Sequence, residues 1–210
     1  MMLTLQDLLR TRTRLAGYNS MVDGSKLYNF RSELLNKTYV RTGKWLGTSP
    51  STFDSLVSVF NTGCDWDARG YFIKYLDSMS MYRNSGWGGS YTNICYYEAY
   101  EFYVSSKGTY VLYFGVDNGV ATWIIIDGRP IYFTTANIWW GYNWAYAIKL
   151  TIDFDVGWHT IEDLGIEDCC DGGRSLAIQP PGGSITIVSN TNFTLRFPFI
   201  ASRWRWFKII

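Results

Sequence analysis

A single histidine, His159, serves the whole chain. One imidazole cannot supply both a metal site and a catalytic triad. The four cysteines, Cys64, Cys95, Cys169 and Cys170, lack the paired spacing of a zinc cluster. Charge of one sign is missing too: 19 Lys and Arg against 18 Asp and Glu leave a net +1. No global field therefore selects nucleic acid or a membrane surface as partner. No run approaches the roughly 20 apolar residues that cross a bilayer. The first residues, MMLTLQDLLRTRTRLAGYNS, have neither the apolar core nor the small-residue cleavage site of a secretory signal. Nucleophile elbows, P-loops and dinucleotide fingerprints are absent. Internal repeats and low-complexity linkers are absent as well. These absences point to a protein that is not an enzyme, binds no nucleic acid and makes no stable membrane insertion.

Aromatic residues are present in excess, with 10 Trp, 16 Tyr and 12 Phe. Strand propensity absorbs part of that excess. The rest suits half-wet surfaces and interfaces, where a polar tip on an apolar ring is useful. Residues 109–164 organise the chain. Three apolar runs are separated by Asp117-Asn118-Gly119 and by Asp127-Gly128. Short Val, Ile, Tyr, Phe and Trp runs bounded by Asn-Gly or Asp-Gly read as hairpins, because those residues accept φ > 0 cheaply. The stretch predicts a β-meander within an all-β domain.

Strands are expected from Tyr71 onward. Residues 94–104 are almost continuously apolar, so both faces are expected to be covered. Pro180-Pro181-Gly182-Gly183 is a turn between two short strands. Upstream, Leu5, Leu8, Leu9 and Ala16 approximate helical spacing and predict a short amphipathic helix or arm. Residues 51–61 start like a capped helix, with strand as the alternative. The expected organisation is an N-terminal arm with short helices over 1–70, an antiparallel jelly-roll-like β-sandwich over 71–200, and a basic-aromatic tail over 201–210. Carboxylates of 153–171 read as a solvated acidic surface. Neighbouring cysteines bridge each other with strain, so Cys169 and Cys170 are expected to reach a distant partner such as Cys64 or Cys95, although four free thiols also fit the sequence.

The order of features GTYVLYFGVDNGVATWIIIDG, VGWHTIEDLGIED and GGRSLAIQPPGGSITIV resembles the protective-antigen-like domain. That β-sandwich was first named from a bacterial toxin component and also occurs in yeast flocculin and adhesin lectins and in glycosidases. The matching residues are Asp117-Asn118-Gly119, Ile126-Asp127-Gly128, Gly157-Trp158-His159, Gly172-Gly173 and Pro181-Gly182-Gly183, over roughly residues 95–190. In the lectin members, two consecutive Asp in the first turn hold a calcium ion that bridges sugar hydroxyls. The resemblance therefore implies a calcium turn at Asp117 and Asn118, weakened because Asn118 replaces the second carboxylate. It also implies a structural role for His159.

Trp139, Trp140, Tyr142, Trp144 and Tyr146 form the main binding candidate, as a platform for sugar rings or a contact between subunits. Trp204 and Trp206 in the tail raise the same pair of readings. The sequence-based expectation is a non-enzymatic structural subunit of a phage-type virus particle. As a capsid decoration, neck, tail or spike protein it would assemble with copies of itself and other virion proteins and face the outside. The alternative is a calcium-dependent adhesin module that binds cell-surface glycans.

Overall fold

The structure is a computed structural model and describes residues 38–69, 73–76, 78–79, 82–83, 92–169 and 173–196. The N-terminal helix expected over 3–16, the tail with Trp204 and Trp206, and Cys170 lie outside the described residues.

Two antiparallel sheets form a sandwich, as expected for the fold class. One holds β1 (Thr38–Trp45), β2 (Cys64–Asp65), β3 (Ile73–Leu76), β5 (Ile94–Val104), β7 (Ala121–Ile126), β8 (Arg129–Thr134), β10 (Gly157–Glu167) and β13 (Leu195–Arg196). Its main order is β2-β1-β5-β10-β7-β8. The other holds β4 (Tyr82–Arg83), β6 (Gly108–Val116), β9 (Ile148–Phe154), β11 (Gly173–Gln179) and β12 (Thr186–Ile187), in the order β12-β11-β6-β9 with β4 beside β11.

Strand side chains alternate between faces. The even-numbered residues Tyr100, Phe102 and Val104 of β5 therefore meet Leu112, Phe114, Leu176 and Ile178 in the core between the sheets. The odd-numbered Cys95, Tyr97 and Ala99 point the other way, into a second apolar cluster with Trp123, Ile125 and Leu164. Leu56 and Val59 cover that outer face, with Trp45, Phe53, Phe60 and Trp66 packed around them. They come from α1 (Ser55–Ser58) and the wider helical turn Val59–Gly63 that continues it. Burial on two faces explains why β5 reads as a continuous apolar run.

The arm expected over 1–70 is thereby corrected. Residues 38–65 belong to the sandwich: β1 pairs with β5 from Tyr39↔Ala99 to Lys44↔Ile94, and 53–66 cap the sheet. Gly43 lies in β1, where an added Cβ would meet the Asp65 carbonyl and the Trp66 ring at 2.9 Å. Cys64 and Cys95 close on each other, so neither is the distant partner that Cys169 or Cys170 was expected to reach. Chain direction decides this, since β2 returns alongside the end of β1 that already pairs with β5.

The turn at Asp127-Gly128 joins β7 to β8 as a hairpin, with φ of 52° and 72°. His159 pins it, one ring nitrogen 2.8 Å from Asp127 Oδ2 and the other 2.8 Å from the Asp155 carbonyl. The Asp117-Asn118-Gly119 turn is not a hairpin. β6 and β7 lie in different sheets, so the chain crosses the sandwich there.

Candidate functional site

That crossing lies at one end of the sandwich. β6, β8 and β10 finish there, and β7, β9 and β11 begin there, as the registers Phe114↔Ile148, Thr122↔Thr134, Ile166↔Ala121 and Arg174↔Val116 require. The described loops at this end include the 117–120 crossing, the aromatic loop 135–147 and residues 168–169 after Glu167.

Towards this end the inner face of the sandwich turns from apolar to polar. Tyr96 and Glu98 of β5, Thr122 of β7, Asp163 of β10 and Arg174 of β11 are all buried. Glu98 and Asp163 are direct cross-strand neighbours. Arg174 reaches both from the opposite sheet: Nε donates to Glu98 Oε1 at 2.6 Å and Nη2 to Asp163 Oδ2 at 2.6 Å. The guanidinium lies 3.4 Å from the centre of the Tyr96 ring, a close cation–π contact. Its third arm, Nη1, donates to Asn118 Oδ1 at 3.0 Å.

Asn118 is fully buried. The Tyr96 hydroxyl lies against Asn118 Oδ1 and 2.7 Å from the Asp117 carbonyl oxygen. Asn118 Nδ2 donates to Thr122 Oγ1. Arginine can only donate, so the oxygen of the Asn118 amide must face it. Gly165 makes this packing feasible, since any Cβ there would collide with Tyr96 and the Asn118 amide. The Asn118 backbone also pairs with Ile138 in both directions at 2.9 Å. That bridge ties the crossing to the aromatic loop one residue before Trp139.

The loop divides its rings between inside and outside. Trp140 is 2% exposed and covers Gly115 of β6, where a Cβ would strike the indole. Its Nε1 donates to the Asn143 carbonyl at 3.1 Å. Tyr142 and Trp144 stack on it with centroids 5.3 and 5.2 Å away. Trp140 is thus the loop's anchor and not the open ring expected of it, and Trp144, half-buried against Tyr113, is its second support. Tyr142 has φ of +62°, strained for a bulky residue, and lies where a Cβ on Gly173 would be. Trp139 and Tyr146 are left pointing outward, 75% and 70% exposed, with Tyr142 at 40%.

Carboxylates line the same end. A Cβ on Gly119 would strike Asp168 and come within 2.9 Å of Glu167 Oε1. Glu167 accepts from the backbone N–H of Gly119 and of Cys169, each at 2.8 Å. Burial pushes its carboxyl up to about 7, against those two bonds. Burial likewise raises Asp117 to about 6, opposed by the positive charge of Arg174. Asp163 is also pushed up, by burial first and then by Glu98. The acidic stretch 153–171 is accordingly not one solvated surface. Asp153, Asp155 and Asp168 are exposed, whereas Glu162, Asp163 and Glu167 are buried, Glu162 accepting from the Tyr97 hydroxyl.

The calcium turn implied by the sequence resemblance can be tested on these donors. Calcium takes 6–8 oxygen ligands. Asn118 Oδ1 already accepts from a guanidinium and a phenol and the Asp117 carbonyl from the same phenol, so the Asp117 side chain is the one carboxylate the turn itself offers. Among the described residues, no group of three or more His, Cys, Asp or Glu is placed to hold a metal. The donor set does not fit the ion.

No family model and no curated protein sequence matches the chain. Solved structures do match it in fold. The PA14 domain of the MpAFP antifreeze protein aligns with a TM-score of 0.58 over 86% of this chain and 96% of its own length, at 12% identity. An anti-sigma factor domain-containing protein aligns at 0.54 over 78% of this chain and 48% of its own length, at 9% identity. The A domain of epithelial adhesin 6 from Candida glabrata, solved in complex with Galb1-3GlcNAc, aligns at 0.51 over 78% and 87%, at 10% identity. The chain therefore shares the sandwich architecture of PA14 and adhesin A domains.

Proposed function

We propose that this chain is a non-catalytic glycan-binding module whose site is the loop end of the sandwich. Trp139 and Tyr146 present ring faces on which a sugar stacks, and Asp117 and Asp168 supply hydrogen-bond acceptors for its hydroxyls. The observation that carries the reading is the division of labour in the aromatic loop. Trp140 and Trp144 hold it down, while Trp139 and Tyr146 stay 75% and 70% exposed. Large exposed rings on a braced loop are costly to leave wet and useful only when something covers them. The adhesin A domain of like fold, solved with Galb1-3GlcNAc, supports a sugar as the cover and suggests galactose-terminated glycans as the first to try. The buried Cys64–Cys95 bridge suits an oxidising compartment, which supports a place outside the cell or on a particle surface.

A glycan array probed with the purified chain tests this. Binding to a defined subset of glycans is expected, and a blank array at micromolar protein removes the reading. Association of two copies through the same rings is the competing use of the surface, and light scattering separates it: a stable dimer lost on Trp139→Ala would favour assembly. The virus-particle reading rests on the absent export signal, the surplus aromatics and the chain ends, which lie outside the described residues, and no comparison supports it.

A further inference from the structure

We propose that Arg174 acts as the loop end's own cation, fixing the 117–120 crossing and the aromatic loop so that this end of the sandwich forms without a divalent metal. The inference concerns how the glycan-binding end is built, and only its consequence for ligand binding rests on that reading.

Arg174 makes more contacts than an ion pair between sheets needs. Its bonds to Glu98 and Asp163 already match it with two carboxylates inside the core. The remaining arm leaves that pair and reaches Asn118 Oδ1 at 3.0 Å. Asn118 in turn is bridged through its backbone to Ile138, and Trp139 and Trp140 follow directly. A continuous set of bonds thus runs from the guanidinium to the exposed ring. The planar fork of arginine suits this task, because its five donors point in fixed directions.

A divalent ion on the same oxygen would sit about 2.3–2.6 Å from Asn118 Oδ1. That would place it within roughly 5.5 Å of Nη1, on an oxygen that already accepts from the guanidinium and from the Tyr96 hydroxyl, so the ion would have to displace those donors. The guanidinium and the metal are therefore alternatives at this position, and the chain has the guanidinium. Arg174 is a positioning residue: it touches the turn that carries the site and lies 1% exposed, beneath the surface any ligand would meet.

Two measurements decide this, and neither uses a glycan. The first titrates the folded wild-type chain with calcium chloride and follows Tm. No shift is expected, whereas a site filled to a hundred times its Kd would raise Tm by roughly 5–10 °C. The second is amide hydrogen exchange in Asn118→Ala, which keeps both carboxylate partners of Arg174 but cuts its link to the crossing. Exchange at residues 136–146 should rise roughly tenfold or more, with the centres of β5 and β10 unchanged. Asn118→Asp, which keeps an acceptor facing Arg174, should restore protection. A calcium-dependent rise in wild-type Tm, or loop exchange unaltered in Asn118→Ala, overturns the proposal. Should Asn118→Ala not fold, the wild-type titration and Asn118→Asp still decide it. A blank glycan array would sink the binding reading and leave this one untouched.

Discussion

Glu98 and Asp163 face each other across β5 and β10 and share one guanidinium, with Arg174 2.6 Å from each. Two carboxylates and one cation leave an excess negative charge in the core when both acids are ionised. Asp163 Oδ1 has no hydrogen-bond partner among the described residues, which adds to the cost of that ionisation.

Stability should therefore fall as pH rises across the weakly acidic range. Burial raises Asp163, Asp117 to about 6 and Glu167 to about 7. A carboxyl whose pKa is higher folded than unfolded binds its proton more tightly in the native state, so its contribution is greatest below the unfolded pKa of about 4 and is lost as pH climbs to about 7. After allowing for solvent screening at Asp117 and Glu167, Tm should be roughly 3–6 °C higher at pH 5 than at pH 8. Calorimetry at the two pH values checks this, and a higher Tm at pH 8 would refute it.

Removing the guanidinium should be costly in a pH-dependent way. Arg174→Met leaves two facing carboxyls buried without their cation. Breaking a buried pair in this manner costs about 3–5 kcal/mol. The loss should be smaller at pH 5, where a carboxyl can take up a proton. Urea titrations at both pH values give the comparison, and an equal loss at each would contradict the assignment.

Gly115→Ala tests the anchoring of the aromatic loop. The added methyl meets the Trp140 indole head-on, and overpacking of this kind costs about 1–3 kcal/mol. Exchange of loop amides should rise with it. A variant with wild-type stability would mean that Trp140 does not hold the loop.

The disulfide closes a loop between residues 31 positions apart. The chain-entropy relation gives it about 3–4 kcal/mol. The double variant Cys64→Ser with Cys95→Ser should lose that much by chemical denaturation under non-reducing conditions. A double variant as stable as the wild type would show that the bridge contributes little.

The sequence carried the architecture more clearly than the site. Short apolar runs, Asp127-Gly128 and Pro180-Pro181-Gly182-Gly183 mark strands and turns through local chemistry that survives in the fold. Asp117-Asn118-Gly119 has the same local chemistry, but its strands go to different sheets, and only tertiary pairing decides that. Arg174 could not be read as a core residue, because its partners Glu98 and Asp163 lie 76 and 11 positions away. A faint signal existed: Glu98 interrupts an apolar run, and Arg174 is the lone cation near an acidic stretch. The split between anchoring and exposed rings was likewise hidden, since Trp139 and Trp140 are adjacent and of one type, and only Gly115 beneath Trp140 separates them.

The most direct measurement is the affinity of Trp139→Ala for the strongest array glycan, by isothermal titration beside the wild type. Trp139 is exposed and supports no packing in the core, so Tm should not move. The affinity should fall roughly tenfold or more, as expected for a central aromatic contact. An affinity equal to that of the wild type, at equal Tm, would contradict the placement of the site at this end of the sandwich.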